Sequence, residues 1–366
     1  MKKIYSILLC YICNTVLAAP LINSTKEVVK NGESITILGN DFGAMNGSIV
    51  SWDNFESKTA GSNVGGSSPL IGPTWSLQHT GGSVTYNNIH SHSGNLAANV
   101  VWAGSTGIEA FGWAGQGPFR QLYITYWRWM DGNYDPNPNK TPYADNHKQY
   151  YLFGNRSSEG FSEFPQGMPL IPAGTSTWGY YNNVSMAQTN WNGTNNINTI
   201  GKTYENTKSQ WNRWEFWQKL NTDPSCTINV NCDGELTYWI DTRVGRKRAD
   251  YKHRFVAGEW KDFRLGHMAH GFISTAKAWF DDIYIATTQA RVEIGDASTW
   301  DTCTHREIQI PSSWQAGQIT ITINQGSFPA KSSAYLFVVD ANGNVSNGKE
   351  IKFDDMASPT NFKVQH

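Results

Sequence analysis

The stretch "HKQYYLFGN" places His147, Gln149 and Tyr151 on one face of an extended segment and Lys148 and Tyr150 on the other. A second stretch, "RWEFWQKLN", alternates Arg213, Glu215, Trp217 and Lys219 with Trp214, Phe216, Gln218 and Leu220. These side-chain types suit β-elimination on a uronic-acid polymer. That reaction needs a cation to neutralise the uronate carboxylate and a base to take the acidified proton. A donor must then protonate the leaving oxygen. Arg213 is the candidate neutraliser, because a guanidinium pairs bidentately with a carboxylate. Tyr150, Tyr151, Lys148 and His147 are the candidate acids and bases, and Lys219 is a second cation for a sugar acid. Further candidates are His267 and His270 in "GHMAHG" and Lys277 in "KAWFDD".

Each assignment has a plainer rival. Arg213 and Glu215 form a same-face ion pair worth less than about 1 kcal/mol if exposed, and a structural clasp if buried. Lysines and tyrosines on strands often cover apolar surface with their stems. Trp127, Trp129, Trp217, Trp239 and Trp279, with Glu215, are candidate sugar contacts. They form a platform if their faces share a groove, and core if they lie between sheets. Strand register decides which.

A retaining glycosidase requires two carboxylates close together. Glu159 and Glu163 in "EGFSEF" sit among loop residues, and the adjacent Asp281 and Asp282 should face opposite sides of a strand. A lyase is therefore favoured over a hydrolase. For metals, His267 and His270 fall on opposite strand faces. His90 and His92 share a face, but no third ligand lies nearby in sequence.

The elements that must position these groups read as strands. Trp, Tyr and Phe number 16 each among 366 residues, and Gly and Asn turns separate the aromatic runs. The formal net charge of −1 argues against a nucleic-acid or anionic-membrane partner. Residues 1–19 read as a signal peptide: basic "MKK", an apolar run, then "LAAP", with cleavage after Ala18 or Ala19. That run is too short and interrupted for a membrane anchor. The mature chain is expected to be exported, soluble or surface-associated. Of the cysteines beyond it, Cys226 and Cys232 bracket a short loop suited to a disulfide, and Cys303 is left over.

Residues 20–47 and 289–353 carry alternating runs such as "SITILGNDFG" and "QITITINQG", and 354–366 form a tail. The opening "G…ITI.G..FG" from Gly32 to Gly43 and the "V.D..G..S" from Val339 to Ser346 resemble an IPT/TIG module, a small immunoglobulin-like sandwich. Residues 48–288, a run of some ten strands, would then be inserted in one of its loops. Within them, "W.RWEFWQKLNT", "DGELTYWIDTR" and "AWFDDIYIA" resemble the concanavalin A-like lectin/glucanase jelly roll. The nearest likeness is to jelly-roll polysaccharide lyases. The resemblance implies an all-β, two-sheet fold and a secreted polysaccharide-active protein, lyase-like on an acidic glycan. The alternative is a non-catalytic carbohydrate-binding or adhesion protein. It implies no catalytic residue by motif. Modules of this kind pair an early "D.FE" with a late "DD(I/V)" to hold a structural Ca²⁺, which would make Asp53, Glu56 and Asp282 the ligands.

Overall fold

In the computed structural model, residues 18–354 are described, apart from 79–81, 103–110, 132–146, 149, 155–167, 172–184, 191–192, 198–208, 255–256 and 267–275. The chain opens with β1 (Leu21–Ser24), β2 (Val28–Val29) and β3 (Ser34–Asn40). There follow β4 (Ile49–Asp53), β5 (Leu77–Gln78), β6 (Gly82–Asn87), β7 (Ala97–Trp102), β8 (Phe111–Trp113), β9 (Gln121–Met130), β10 (His147–Lys148) and β11 (Tyr150–Phe153). Next come β12 (Met168–Ile171), β13 (Ser185–Asn190), β14 (Gly193–Ile197), β15 (Trp211–Lys219), β16 (Gly234–Ile240), β17 (Arg243–Tyr251), β18 (Asp262–Leu265) and β19 (Ala276–Ala286). The last strands are β20 (Arg291–Gly295), β21 (Arg306–Gln315), β22 (Gln318–Thr322), β23 (Ser333–Val339) and β24 (Lys349–Phe353). Among the described residues the only helical turn is the 3-10 segment Trp300–Thr302. The protein is all-β.

The main sheet runs β17-β16-β15-β9-β19-β7-β6, with β4 added beside β19. At its centre, β15 pairs antiparallel with β9 from Trp211 opposite Trp129 to Lys219 opposite Gln121. Their alternate residues Trp214, Phe216, Leu122, Ile124 and Tyr126 enter the larger core. A second sheet, β11-β18-β8-β5, closes over that core with Tyr150, Leu152, Phe263, Leu265, Phe111 and Trp113. Each such fully buried side chain contributes about 1.5–3 kcal/mol, which is why the alternation fixes the register. Strands β10, β12, β13 and β14 form a further antiparallel sheet.

The smaller sandwich draws on both ends of the chain. Strand β3 pairs with β22, Ser34 lying opposite Thr322, and β2 runs parallel to β24. Ile22, Ile35 and Ile37 pack there with Val292, Ile319 and Leu336. The chain leaves and re-enters this sandwich at adjacent points, since Thr287 N–H donates to the Ser48 carbonyl at 2.9 Å. Strand β21 turns a corner at a register shift between Pro311 and Ser313. It serves β20 with its first half and β22 with its second.

Two local features depart from simple alternation. Strand β17, "RVGRKRADY", is charged on both faces and slips register against β16, so its sequence does not read as a strand. In β19 a bulge falls between Asp281 and Tyr284, and Asp282 takes φ 47°. Phe280 and Ile283 both enter the core, so Asp282 is the extra residue. Cys226 and Cys232 are joined by a disulfide, and Cys303 is a buried free thiol. No helix among the described residues is long and apolar enough to cross a membrane.

Candidate functional site

The row Arg213–Glu215–Trp217 projects from the main sheet away from its core and is covered by the small sandwich. Arg213 is buried, and all its donors are engaged. Nε donates to Thr125 Oγ1 at 3.2 Å, and Nη1 donates to Glu293 at 2.7 Å and to the Arg306 carbonyl at 2.8 Å. Nη2 faces Tyr123 Oη and Glu215 at 3.4 Å. Arg306 reaches back to Glu215 at 3.2 Å, and Arg291 also pairs with Glu293. The Trp300 ring lies 3.7 Å from the Arg306 guanidinium. Burial alone would raise the Glu293 carboxyl. The charges of Arg213, Arg291 and Arg306 outweigh it and hold the group well below the usual carboxylate range. This is an interdomain clasp, and it leaves Arg213 no donor for a sugar carboxylate. Trp217 packs beside it with Tyr123, Tyr284 and Ile308. Trp217 Nε1 and Lys219 Nζ each donate to Glu235 at 2.7 Å. Trp239 lies half-buried against the same cluster.

The tryptophans further along this face are covered by the loop between β6 and β7. His90 stacks on Trp129 at 4.3 Å and meets Trp279 edge-on at 4.5 Å. His92 stacks on Trp127 at 3.7 Å. Trp127 and Trp279 are buried, and their ring faces are taken by the protein's own imidazoles. A sugar platform on this face is therefore already occupied.

The acidic residues separate into two settings. Asp53 is buried, with Oδ1 accepting from Phe55 N–H at 2.9 Å and Oδ2 from Trp75 Nε1 at 2.7 Å. Burial pushes its carboxyl up to about 7, against those two bonds. Both oxygens serve the strand end. Glu56 and Asp282 instead close on the 91–96 loop. Glu56 Oε1 accepts from the Asn95 and Leu96 N–H groups, each at 2.7 Å. Asp282 Oδ1 accepts from Ser93 Oγ at 3.1 Å, while its Oδ2 is buried without a partner. The β19 bulge brings Asp281 to the same side, where Oδ2 accepts from His92 N–H at 2.8 Å. The expectation that Asp281 and Asp282 face opposite sides is thus overturned by one inserted residue. Burial, then the charges of Glu307 and Glu56, raise Asp282 well above the usual range.

The outward face of the second sheet presents different chemistry. Tyr151 lies directly opposite Arg264 across the β11–β18 pair, and Phe153 lies opposite Asp262. Tyr151 and Phe153 stack at 4.9 Å, and the Arg264 guanidinium sits 5.2 Å from the Phe153 ring. Asp262 approaches Arg264 at 3.7 Å. Burial pulls the Arg264 guanidinium down to about 10. Tyr150, the next residue, points inward and donates to Gln218 within the core. Burial raises its hydroxyl well above the usual range, which removes it from proton transfer with a solvent-side ligand. Of Arg213, Tyr150 and Tyr151, the proposed catalytic residues whose side chains are described, Tyr151 alone faces away from the core without joining the Arg213 clasp, and it too is buried. The side chains of His147 and Lys148 lie outside the described residues, as do His267 and His270.

No family model matches the chain, and no curated protein matches it. Among solved structures, an endo-β-1,4-glucuronan lyase from the fungus Trichoderma reesei aligns with 14% identity over 58% of this chain and 91% of its own, at a TM-score of 0.43. The alginate lyase Aly36B aligns with 11% identity over 65% of this chain and 97% of its own, at 0.39. The cellulose-induced protein Cip1 aligns with 17% identity over 65% and 97%, also at 0.39. Likenesses at these scores place no residue and assign no chemistry, which rest on the geometry above.

Sequence reasoning missed Arg264 because "DFRL" is a four-residue strand whose Asp262 and Arg264 read as an ordinary same-face ion pair. It missed His305 and Glu307, which meet His92 from 213 and 215 residues away, because no spacing rule spans two domains. The shared Nε2 contacts on Glu307 are the only trace, and they exist only in the folded chain.

Proposed function

We propose that this chain is an exported polysaccharide-active protein that performs lyase-like β-elimination on an acidic, uronic-acid-containing glycan. The observation that carries the reading is the cross-strand pair Tyr151–Arg264, outward-facing on the second sheet. Arg264 neutralises the uronate carboxylate, which acidifies the neighbouring C–H. Tyr151, as the phenolate, takes that proton, and the phenol so formed protonates the leaving oxygen. Phe153 stacks on Tyr151 and holds its ring in place. The low-dielectric setting of both groups strengthens their pairing with charge.

The small sandwich is read as an IPT/TIG-like spacer, held to the jelly roll by the Arg213 clasp. A structural Ca²⁺ fits Glu56 and Asp282, with carbonyls of the 91–95 loop, because Asp282 Oδ2 is a buried acceptor without a donor. Asp53 falls outside that set. The ion would tie the first and last strands of the jelly roll together and takes no part in the chemistry. Removing it with a chelator is expected to lower the melting temperature by several degrees, and Asp282→Asn to abolish that response.

The test is a screen of alginate, glucuronan, pectate and glycosaminoglycans, followed at the ultraviolet absorbance of the unsaturated uronate. Product is expected from one of them, and it should vanish in Tyr151→Phe. Retained binding on glycan affinity gels without product would overturn the lyase and leave a carbohydrate-binding protein.

A further inference from the structure

Glu307, at the start of β21, carries an unusual distribution of donors. Its Oε1 receives His92 Nε2 at 2.8 Å, His305 Nε2 at 2.8 Å and Ser327 N–H at 3.1 Å. Its Oε2 is buried and has no partner. Two imidazoles from different domains thus converge on one oxygen while its twin is left bare. A neutral imidazole has one donor nitrogen and one acceptor nitrogen. The same ring geometry therefore serves equally if both Nε2 lone pairs point at a cation between them.

The surroundings favour that cation. The two Nε2 atoms and a Glu307 oxygen all lie within 4.8 Å of one another. Asp282, whose own Oδ2 is also bare, is close enough for the Glu307 charge to raise it. The rings are held in place by neighbours: His92 by Trp127 at 3.7 Å, and His305 edge-on against Phe328 at 4.7 Å. His305 is a quarter exposed, which leaves an entry path and room for a water as fourth ligand.

We infer that His92, His305 and Glu307 form a binding site for a divalent transition ion, of which Zn²⁺ is the best fit, bridging the two sandwiches. Two nitrogens and one carboxylate suit Zn²⁺. The oxygen-only preference of Ca²⁺ directs that ion instead to Glu56 and Asp282. Because one ligand comes from the jelly roll and two from the small sandwich, the ion binds only their docked arrangement and stabilises it. The inference does not depend on the glycan chemistry proposed above.

The experiment uses the full mature chain, stripped of metal and held in excess Ca²⁺, titrated with ZnCl₂ by calorimetry and by thermal melting. One Zn²⁺ per chain is expected, with a rise in melting temperature. The variant His305→Ala is chosen because its side chain is partly exposed, so its metal-free melting temperature should stay near that of the parent. It is expected to lose at least about 100-fold in Zn²⁺ affinity, since removing a ligand exceeds the loss from removing a ligand's support. Co²⁺ substitution should give a visible d–d spectrum in the parent and not in the variant. Absence of Zn²⁺ binding, or equal binding by His305→Ala, would show that the cluster is a hydrogen-bonded knot and overturn the site.

Discussion

The faces that the two jelly-roll sheets turn from their shared core carry similar side chains, buried in different settings. On the main sheet, Arg213 and Glu215 alternate with aromatic residues and lie beneath β20 and β21, their charges matched by Glu293 and Arg306. On the second sheet, Tyr151, Phe153, Asp262 and Arg264 make a smaller mixed row, also buried, on the face turned from the larger core. An Arg beside an aromatic strand is therefore no guide to a ligand by itself. Around the first row three arginines and two glutamates pair with one another inside the protein. In the second, Arg264 lies 3.7 Å from Asp262 and 5.2 Å from the Phe153 ring.

The comparison can be broken most directly at its two tyrosines. Tyr151→Phe should lower turnover by about 10²–10⁴-fold with the melting temperature unchanged, whereas Tyr150→Phe should leave most activity. Equal losses in the two variants would show that the outward face is not the reacting one. At the clasp, Arg213→Met leaves Glu215 and Glu293 buried with reduced compensation, and chemical denaturation should report a loss of about 3–5 kcal/mol. A stable variant with lost glycan binding would reverse the roles assigned to the two faces.

Acid should find the same difference. Glu293 is held well below its unfolded value of about 4.3, so its contribution is fully present above that pH and is lost as pH falls towards the native value. Stability measured from pH 6 to pH 3 should fall on the acid side, and Glu293→Gln, although less stable, should show a shallower fall. The smallest effect is expected at Lys219, whose pairing with Glu235 is about a third exposed on each side. Lys219→Ala should cost no more than about 0.2–1 kcal/mol, and less at high salt.

Much of the fold was legible from local pattern. β3, β9, β15, β16 and β19 show alternation strong enough to place them. The Cys226–Cys232 link follows from a short loop in a chain expected to be exported. The failures are specific. β17 carries charge on both faces, so no pattern separates its sides. The Asp281–Asp282 step assumes strict alternation, and a single positive φ at Asp282 undoes it. Asp53 and Glu56 are three residues apart, yet one serves Trp75 and the other the 95–96 backbone.

The sequence by itself determined the all-β class, most of the strands and, where alternation is unbroken as in β15, which residues share a face, because side-chain alternation and turn chemistry are local. Only the tertiary structure decided which of those faces is covered. Loop 88–95 lays His90 and His92 on the tryptophans, and β20 and β21 close on Arg213, through contacts between residues 35 to 215 positions apart. Burial of a face depends on what else packs against it, and no periodicity within a strand records the identity of that partner.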